Sequence, residues 1–199
     1  NDFSNKDKIN FKEQVELDKW IINEGYKLQE KVLNLYNNYA YHKAVQAIHN
    51  FCVNELGGIY LDIVKDRLYT SKTDSLARRS CQTSLDVLLN ILIRLIAPIL
   101  SYTAEEIWQS CSNLNNQEES VFLSNYISAK NEHNLKINED EWKRLFEIKD
   151  SVNQSIEQLR NDNKLKGSLD AVVNIEANDR DFSILERLGS ELHFLFISS

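Results

Sequence analysis

Apolar residues recur at steps of three and four through several long stretches of this chain, and only 5 glycines and 1 proline punctuate its 199 residues. That spacing places side chains on one face of an α-helix. So few turn-formers leave little room for the many reversals of a sandwich or barrel. The expected fold class is mainly α, a helical bundle.

In residues 15–36 the stripe consists of Val15, Leu17, Trp20, Ile21, Ile22, Leu28, Val32, Leu35 and Tyr36, and Asn37 and Asn38 suit its C-terminal end. The polar residues 1–12 before it read as a linker or frayed lead-in. A second helix runs from Tyr41 through Ala44, Val45, Ile48, Phe51, Cys52 and Leu56 to Val64, with Gly57 and Gly58 in its middle. That pair, lacking side chains, is expected to admit another helix closely rather than break this one. Asp74 or Ser75 caps the next helix, residues 75–96, which turns apolar nearly all round after Leu85 and so belongs at a bundle centre. Pro98 stops it. Thr103 with Glu106 reads as a capping box for a short helix that carries Ile107 and Trp108 inward.

Residues 112–138 form a polar connection with one apolar island, VFLSNYI, which reads as a strand or extended segment across the bundle. A last long helix runs from Glu139 towards Gly167, with Trp142, Leu145, Phe146, Ile148, Val152, Ile156 and Leu159 on helical steps. Beyond Gly167, alternation in LDAVVNIEA and ELHFLFISS predicts two strands around a short helix, DFSILERLG. Two strands do not make a stable sheet alone, so the chain is expected to end inside a small, truncated α/β element. Methionine is absent, including at position 1, which also predicts a fragment or a processed product.

The residues supply no catalytic constellation. There is no glycine-rich phosphate loop, zinc spacing or nucleophile elbow, so no catalytic, cofactor-binding or metal-binding residue is assigned. Cys52, Cys81 and Cys111 are odd in number and contain no C-x-x-C pair, which predicts free thiols in a reducing cytoplasm. His42 and His49 are read as packing or surface residues, and Glu105 and Glu106 as acids favoured near a helix start. The longest apolar run, VLLNILIRLIAPIL, is interrupted by Asn90 and Arg94 and falls short of the roughly 18–20 residues of a membrane span. No membrane partner is expected.

A net charge of -7 counts against nucleic acid as a partner, but local distribution decides. Residues 64–80 hold Lys65, Arg67, Lys72, Arg78 and Arg79 against Asp66 and Asp74, a local surplus of three positive charges. Lys65 and Arg67 close one helix, Arg78 and Arg79 open the next, and Lys72 lies in the turn between, so all five gather at one end of a bundle. Cations at a helix start oppose its dipole, which argues for an anionic partner. Tyr69 stands among them as a ring on which a base can stack. The plainer reading is a solvated helix end.

YLDIVKDRLYT, RRSCQT, LIAPILSYTAEEIW and VNQSIEQLRNDNKLKGSLDA, with LDKW near the start, closely resemble the C-terminal region of isoleucyl-tRNA synthetases of the bacterial kind. The resemblance runs in order from about residue 15 onward. APILSYTAEEIW resembles a segment shared with the valyl and leucyl enzymes, whereas KDRLYT followed by ARRSCQT looks particular to the isoleucyl ones.

The resemblance implies a helical-bundle anticodon-binding domain over residues 13–166 and the start of a mixed α/β junction domain over 167–199. It implies binding of the anticodon stem-loop of an isoleucine tRNA, in the cytoplasm and as a monomer. Lys65, Arg67, Lys72, Arg78 and Arg79 are the expected phosphate contacts, Lys65 and Arg67 foremost, with Tyr69 stacking on a base. The parent enzyme, by the same resemblance, ligates isoleucine to tRNA with ATP and magnesium through signatures upstream, and a C-terminal zinc module belongs to the parent at most. The alternatives are a helical protein–protein interaction module and the equivalent domain of a valyl or leucyl enzyme.

Overall fold

The stripe that begins at Val15 becomes α1, Glu16–Asn37, in the computed structural model, which describes residues 2–111, 118–128, 135–162 and 172–196. The chain is mainly α and divides into two compact units, Asn1–His133 and Asn134–Ser199.

In the first unit, α1 buries Leu17, Trp20, Ile21, Ile22, Leu28 and Val32. The chain then runs back through α2, Tyr41–Phe51, a π-helical segment, Cys52–Leu61, and α3, Asp62–Thr70. α4, Leu76–Ile96, is capped by Ser75, whose hydroxyl accepts from the Arg78 amide, and it ends two residues before Pro98. α1 and α4 run in the same direction. The Val15 amide donates to the Ser80 hydroxyl (3.0 Å) at one end, and the Tyr36 hydroxyl donates to the Leu95 carbonyl (2.6 Å) at the other.

Gly57 and Gly58 neither break their helix nor receive another one. Both lie inside the π-helical segment, where a Cβ on Gly57 would sit 2.9 Å from the Cys52 carbonyl oxygen and one on Gly58 3.1 Å from that of Val53. Their missing side chains serve the wide turn itself. The close helix approach occurs at Gly25, where a Cβ would meet Leu88 Cδ2 at 2.7 Å and Ile91 Cδ1 at 3.3 Å, so α1 and α4 touch through it.

α5, Ser101–Ser110, begins two residues before Thr103, so the capping-box reading is corrected: Thr103 lies within the first turn. Trp108 points inward and joins Ile93, Ala97, Ala104 and Val121 in a core cluster. The island VFLSNYI is a 3-10 turn at Val121–Leu123 followed by irregular chain, not a strand. Glu105 fastens it by accepting from the Ser120 hydroxyl (2.7 Å) and the Val121 amide (3.1 Å).

From Asp2 onward the lead-in is ordered, contrary to expectation. The Ile9 amide donates to Thr83 Oγ1 (3.1 Å), Lys8 pairs with Asp86 (2.7 Å) and Asp2 pairs with Arg78 (2.9 Å), so the segment is strapped along α4 by its own polar groups.

In the second unit, α6, Glu139–Asn161, opens on a capping box between Asn138 and Glu141 and buries Trp142, Leu145 and Ile156. α7, Asp179–Leu188, ends at Gly189, whose φ of 51° is a left-handed conformation natural to glycine. The predicted C-terminal strand is corrected: Leu192–Phe196 is a helical turn, α8. Leu185, Leu188, Leu192, Leu195 and Phe196 continue one three-and-four-residue stripe through α7 and α8, and that stripe overrides the local alternation. There is no strand among the described residues, and residues 172–178 carry no regular structure. The expected domain boundary at 166/167 and the start of LDAVVNIEA lie outside the described residues.

Candidate nucleic-acid interface

The turn between α3 and α4 brings together the segment that carries all six expected contact residues, but their side chains divide into two sets. Arg67 lies on the same helical steps as Tyr60, Ile63 and Val64, and it points into the core with them. Its Nη2 and Nη1 donate to the two oxygens of the buried Asp18 at 2.6 and 3.2 Å. Asp18 also accepts from the Tyr60 hydroxyl (2.8 Å) and the Ser80 hydroxyl (2.5 Å). Burial alone would lower the Arg67 pKa, but the Asp18 carboxylate outweighs it and holds the guanidinium charged. The assignment of Arg67 to a phosphate is corrected: its charge is spent inside the protein, joining α1, α3 and α4.

Arg78 and Arg79 are likewise engaged. Arg78 donates to the Leu68 carbonyl at the end of α3 and pairs with Asp2, so the negative end of α3 and one carboxylate answer the unfavourable dipole of α4. Arg79 is buried and donates to the Asp2 carbonyl (2.5 Å), Gln82 Oε1 (3.0 Å) and Asp74 (3.3 Å), with Asp7 at 3.5 Å. The anionic partner inferred from these two arginines is the protein's own N-terminal segment.

Three residues remain outward. Lys65 is exposed, with Nζ 2.7 Å from Asp62 one turn earlier, a hydrogen bond that raises its pKa. Exposed pairs of this kind contribute little stability and leave the ammonium available to a phosphate. Lys72 is exposed and has no ion-pair partner among the described residues. Tyr69 is 85% exposed, the ring most open to solvent at this end of the unit. The site is therefore smaller than charge counting implies: two lysines and one ring. A helical stripe that includes an arginine was the available signal for Arg67. No signal in the sequence pairs Asp2 with Arg78.

Charge counting also passes over the corner between α1 and α2. Tyr39 there is 80% exposed and Tyr41 48% exposed. The available signal was an absence, since residues 31–54 contain no Asp or Glu.

A hollow of about 430 Å³ lies among Tyr26, Asn90, Arg94, Trp108 and Asn125, but its lining holds two cations, Lys8 and Arg94, and two acids, Asp86 and Glu118, with Lys8 paired to Asp86. Among the described residues there is no group of three or more His, Cys, Asp and Glu placed to hold a metal ion. Nor is any described helix long and apolar enough to cross a membrane. The three cysteines are free thiols.

Comparison with known proteins agrees with the bundle. The family model described as the anticodon-binding domain of tRNA ligase matches residues 18–175. An isoleucine–tRNA ligase of Idiomarina loihiensis is 44% identical over 98% of this chain and 21% of that protein. One of Coxiella burnetii is 44% identical over 98% of the chain and 21% of its own length, and one of Legionella pneumophila 41% over 97% and 20%. The chain thus spans about a fifth of the length of these curated relatives. With its helical architecture and the match over residues 18–175, the chain belongs to the family of anticodon-binding domains of tRNA ligases.

Proposed function

We propose that this chain binds the anticodon arm of an isoleucine tRNA as the anticodon-binding part of a longer isoleucine–tRNA ligase. The observation that carries this reading is identity of about 44% to isoleucine–tRNA ligases over 98% of the chain. The α3–α4 turn supplies chemistry that suits it. Lys65 and Lys72 meet backbone phosphates, and Tyr69 stacks on a base splayed out of the loop, where single-stranded bases are open to contact.

Arg67, Arg78 and Arg79 act one step removed. By fixing the end of α3 and the start of α4, they hold the turn that presents Lys65, Tyr69 and Lys72. On this reading the ligation of isoleucine with ATP and magnesium, and any zinc module, belong to the rest of the longer protein, and the chain works in the cytoplasm with its tRNA.

A gel-shift series tests the proposal with anticodon stem-loops of isoleucine tRNA and valine tRNA and an unrelated hairpin. Tightest binding to the isoleucine stem-loop is expected. Preference for the valine arm would move the chain to a sister enzyme, and indifference to every RNA at low salt would favour a protein-docking module.

A further inference from the structure

The corner between α1 and α2 lies at the other end of the first unit from the α3–α4 turn, about 30 Å away along the 22 residues of α1. α1 ends there in a reversal in which the Tyr39 amide donates to the Tyr36 carbonyl (2.9 Å) and the Ala40 amide to the Leu35 carbonyl (2.9 Å). Tyr39 takes φ of 55°, the left-handed conformation that helix ends ordinarily assign to glycine or asparagine. Among the described residues it is the one non-glycine with positive φ. A bulky ring held there at a conformational cost, and left 80% exposed, gains no burial in return.

The ring is also supported. Tyr41 meets Tyr39 edge-on with centroids 6.4 Å apart, and Tyr36 lies 5.7 Å from Tyr41. Tyr36 is anchored by its hydrogen bond to the Leu95 carbonyl, so the outer two rings rest on a fixed inner one.

The stretch of chain that forms the corner carries no negative side chains. In a chain with 30 acidic residues, residues 31–54 hold none, while Lys31, His42, Lys43 and His49 fall within them. The first turn of α2, where carboxylates are ordinarily favoured, has no acid. Lys43 is exposed there and, unlike Arg78 and Arg79 at the far end, has no ion-pair partner among the described residues.

We infer that this corner is a second RNA-contact surface, on which Tyr39, backed by Tyr41 and Tyr36, stacks on an unpaired base while Lys43 meets a neighbouring phosphate. The inference rests on the reading of the chain as an RNA-binding domain. It adds a contact about 30 Å from the α3–α4 turn, and so on a different part of the same RNA.

Tyr39→Gly separates the proposed role from a structural one, because glycine suits the left-handed backbone and removes the ring. With an isoleucine tRNA transcript as the probe, Tyr39→Gly is expected to weaken binding by about fivefold or more, the scale of one lost stacking contact. Its melting temperature should be unchanged or raised. Tyr39→Phe should bind like the unsubstituted chain, and Lys43→Ala should reduce the salt slope by about one phosphate contact. Equal binding by Tyr39→Gly, or weaker binding accompanied by a lower melting temperature and not restored in Tyr39→Phe, overturns the inference. If the unsubstituted chain does not bind the transcript at all, the RNA-binding reading fails and this one with it. If it binds and Tyr39→Gly and Lys43→Ala both behave as wild type, this inference alone fails.

Discussion

Arg67 and Asp18 meet at 2.6 Å in the interior of the first unit, one from α3 and the other from α1, with 3% and 0% of their side chains exposed. A buried pair of this kind gains little over apolar packing, but removing one member strands the other charge without water. Arg67→Ala and Asp18→Ala are each expected to cost about 3–5 kcal/mol, measured by urea unfolding. A loss below about 1 kcal/mol, the range of exposed pairs, would show that the pair is solvated.

Lys65 and Lys72 should behave in the opposite way. Either alanine substitution is expected to change stability by no more than about 0.5 kcal/mol. Each should reduce the slope of log affinity against log salt by about 0.7–0.9 for the anticodon stem-loop. Unchanged slopes in both variants would remove the α3–α4 turn from the interface.

The second unit is expected to weaken in acid. Glu141 accepts from Arg187 Nη2 (2.5 Å) and Asp181 from Arg144 at 3.0 and 2.8 Å. The Arg187 hydrogen bond holds Glu141 below its ordinary 4.5, and the Arg144 hydrogen bonds hold Asp181 below 3.8. Depressed carboxylates stabilise the fold above their unfolded pKa and cease to do so as pH falls through the lower folded value. Stability should therefore decline as pH drops below 4.5 and on past 3.8. NMR titration of the two side chains checks this, and ordinary midpoints would contradict it.

Cys81 is buried beside Asp18, and burial first, then that charge, pushes its thiol up to about 12. It should resist thiol reagents at neutral pH in the native protein and react once unfolded. Because the folded pKa lies above the ordinary 9.0, this group's contribution to stability is complete below 9.0 and lost as pH rises towards about 12. Rapid native labelling of Cys81, located by mass spectrometry, would show that the network opens.

Alanine in place of a mid-helix glycine ordinarily stabilises by about 1 kcal/mol. At Gly57 the sign should reverse. The new Cβ would stand 2.9 Å from a backbone oxygen of the π-helical segment, so Gly57→Ala is expected to destabilise by about 1–3 kcal/mol in thermal or urea unfolding. A gain in stability would mean that the segment converts readily to a regular α-helix.

Much of the helical framework was legible because an apolar stripe on three- and four-residue steps names its own secondary structure, as in α1, α4 and α6. The stop before Pro98 and the cap at Ser75 are equally local, set by a missing amide hydrogen and a single hydroxyl. The helix at Leu192–Phe196 was not legible, since its residues satisfy a strand's alternation and a helix's stripe together, and packing in register with α7 chooses between them.

Charge is where sequence and tertiary structure part. The sequence alone determined that five cations crowd residues 64–80 and that residues 31–54 lack carboxylates. Only the folded chain decided which charges remain for a partner, because Asp18 reaches Arg67 across 49 positions and Asp2 reaches Arg78 across 76. A carboxylate neutralises whichever cation the fold brings within a few ångströms, and that distance is not written in the spacing along the chain.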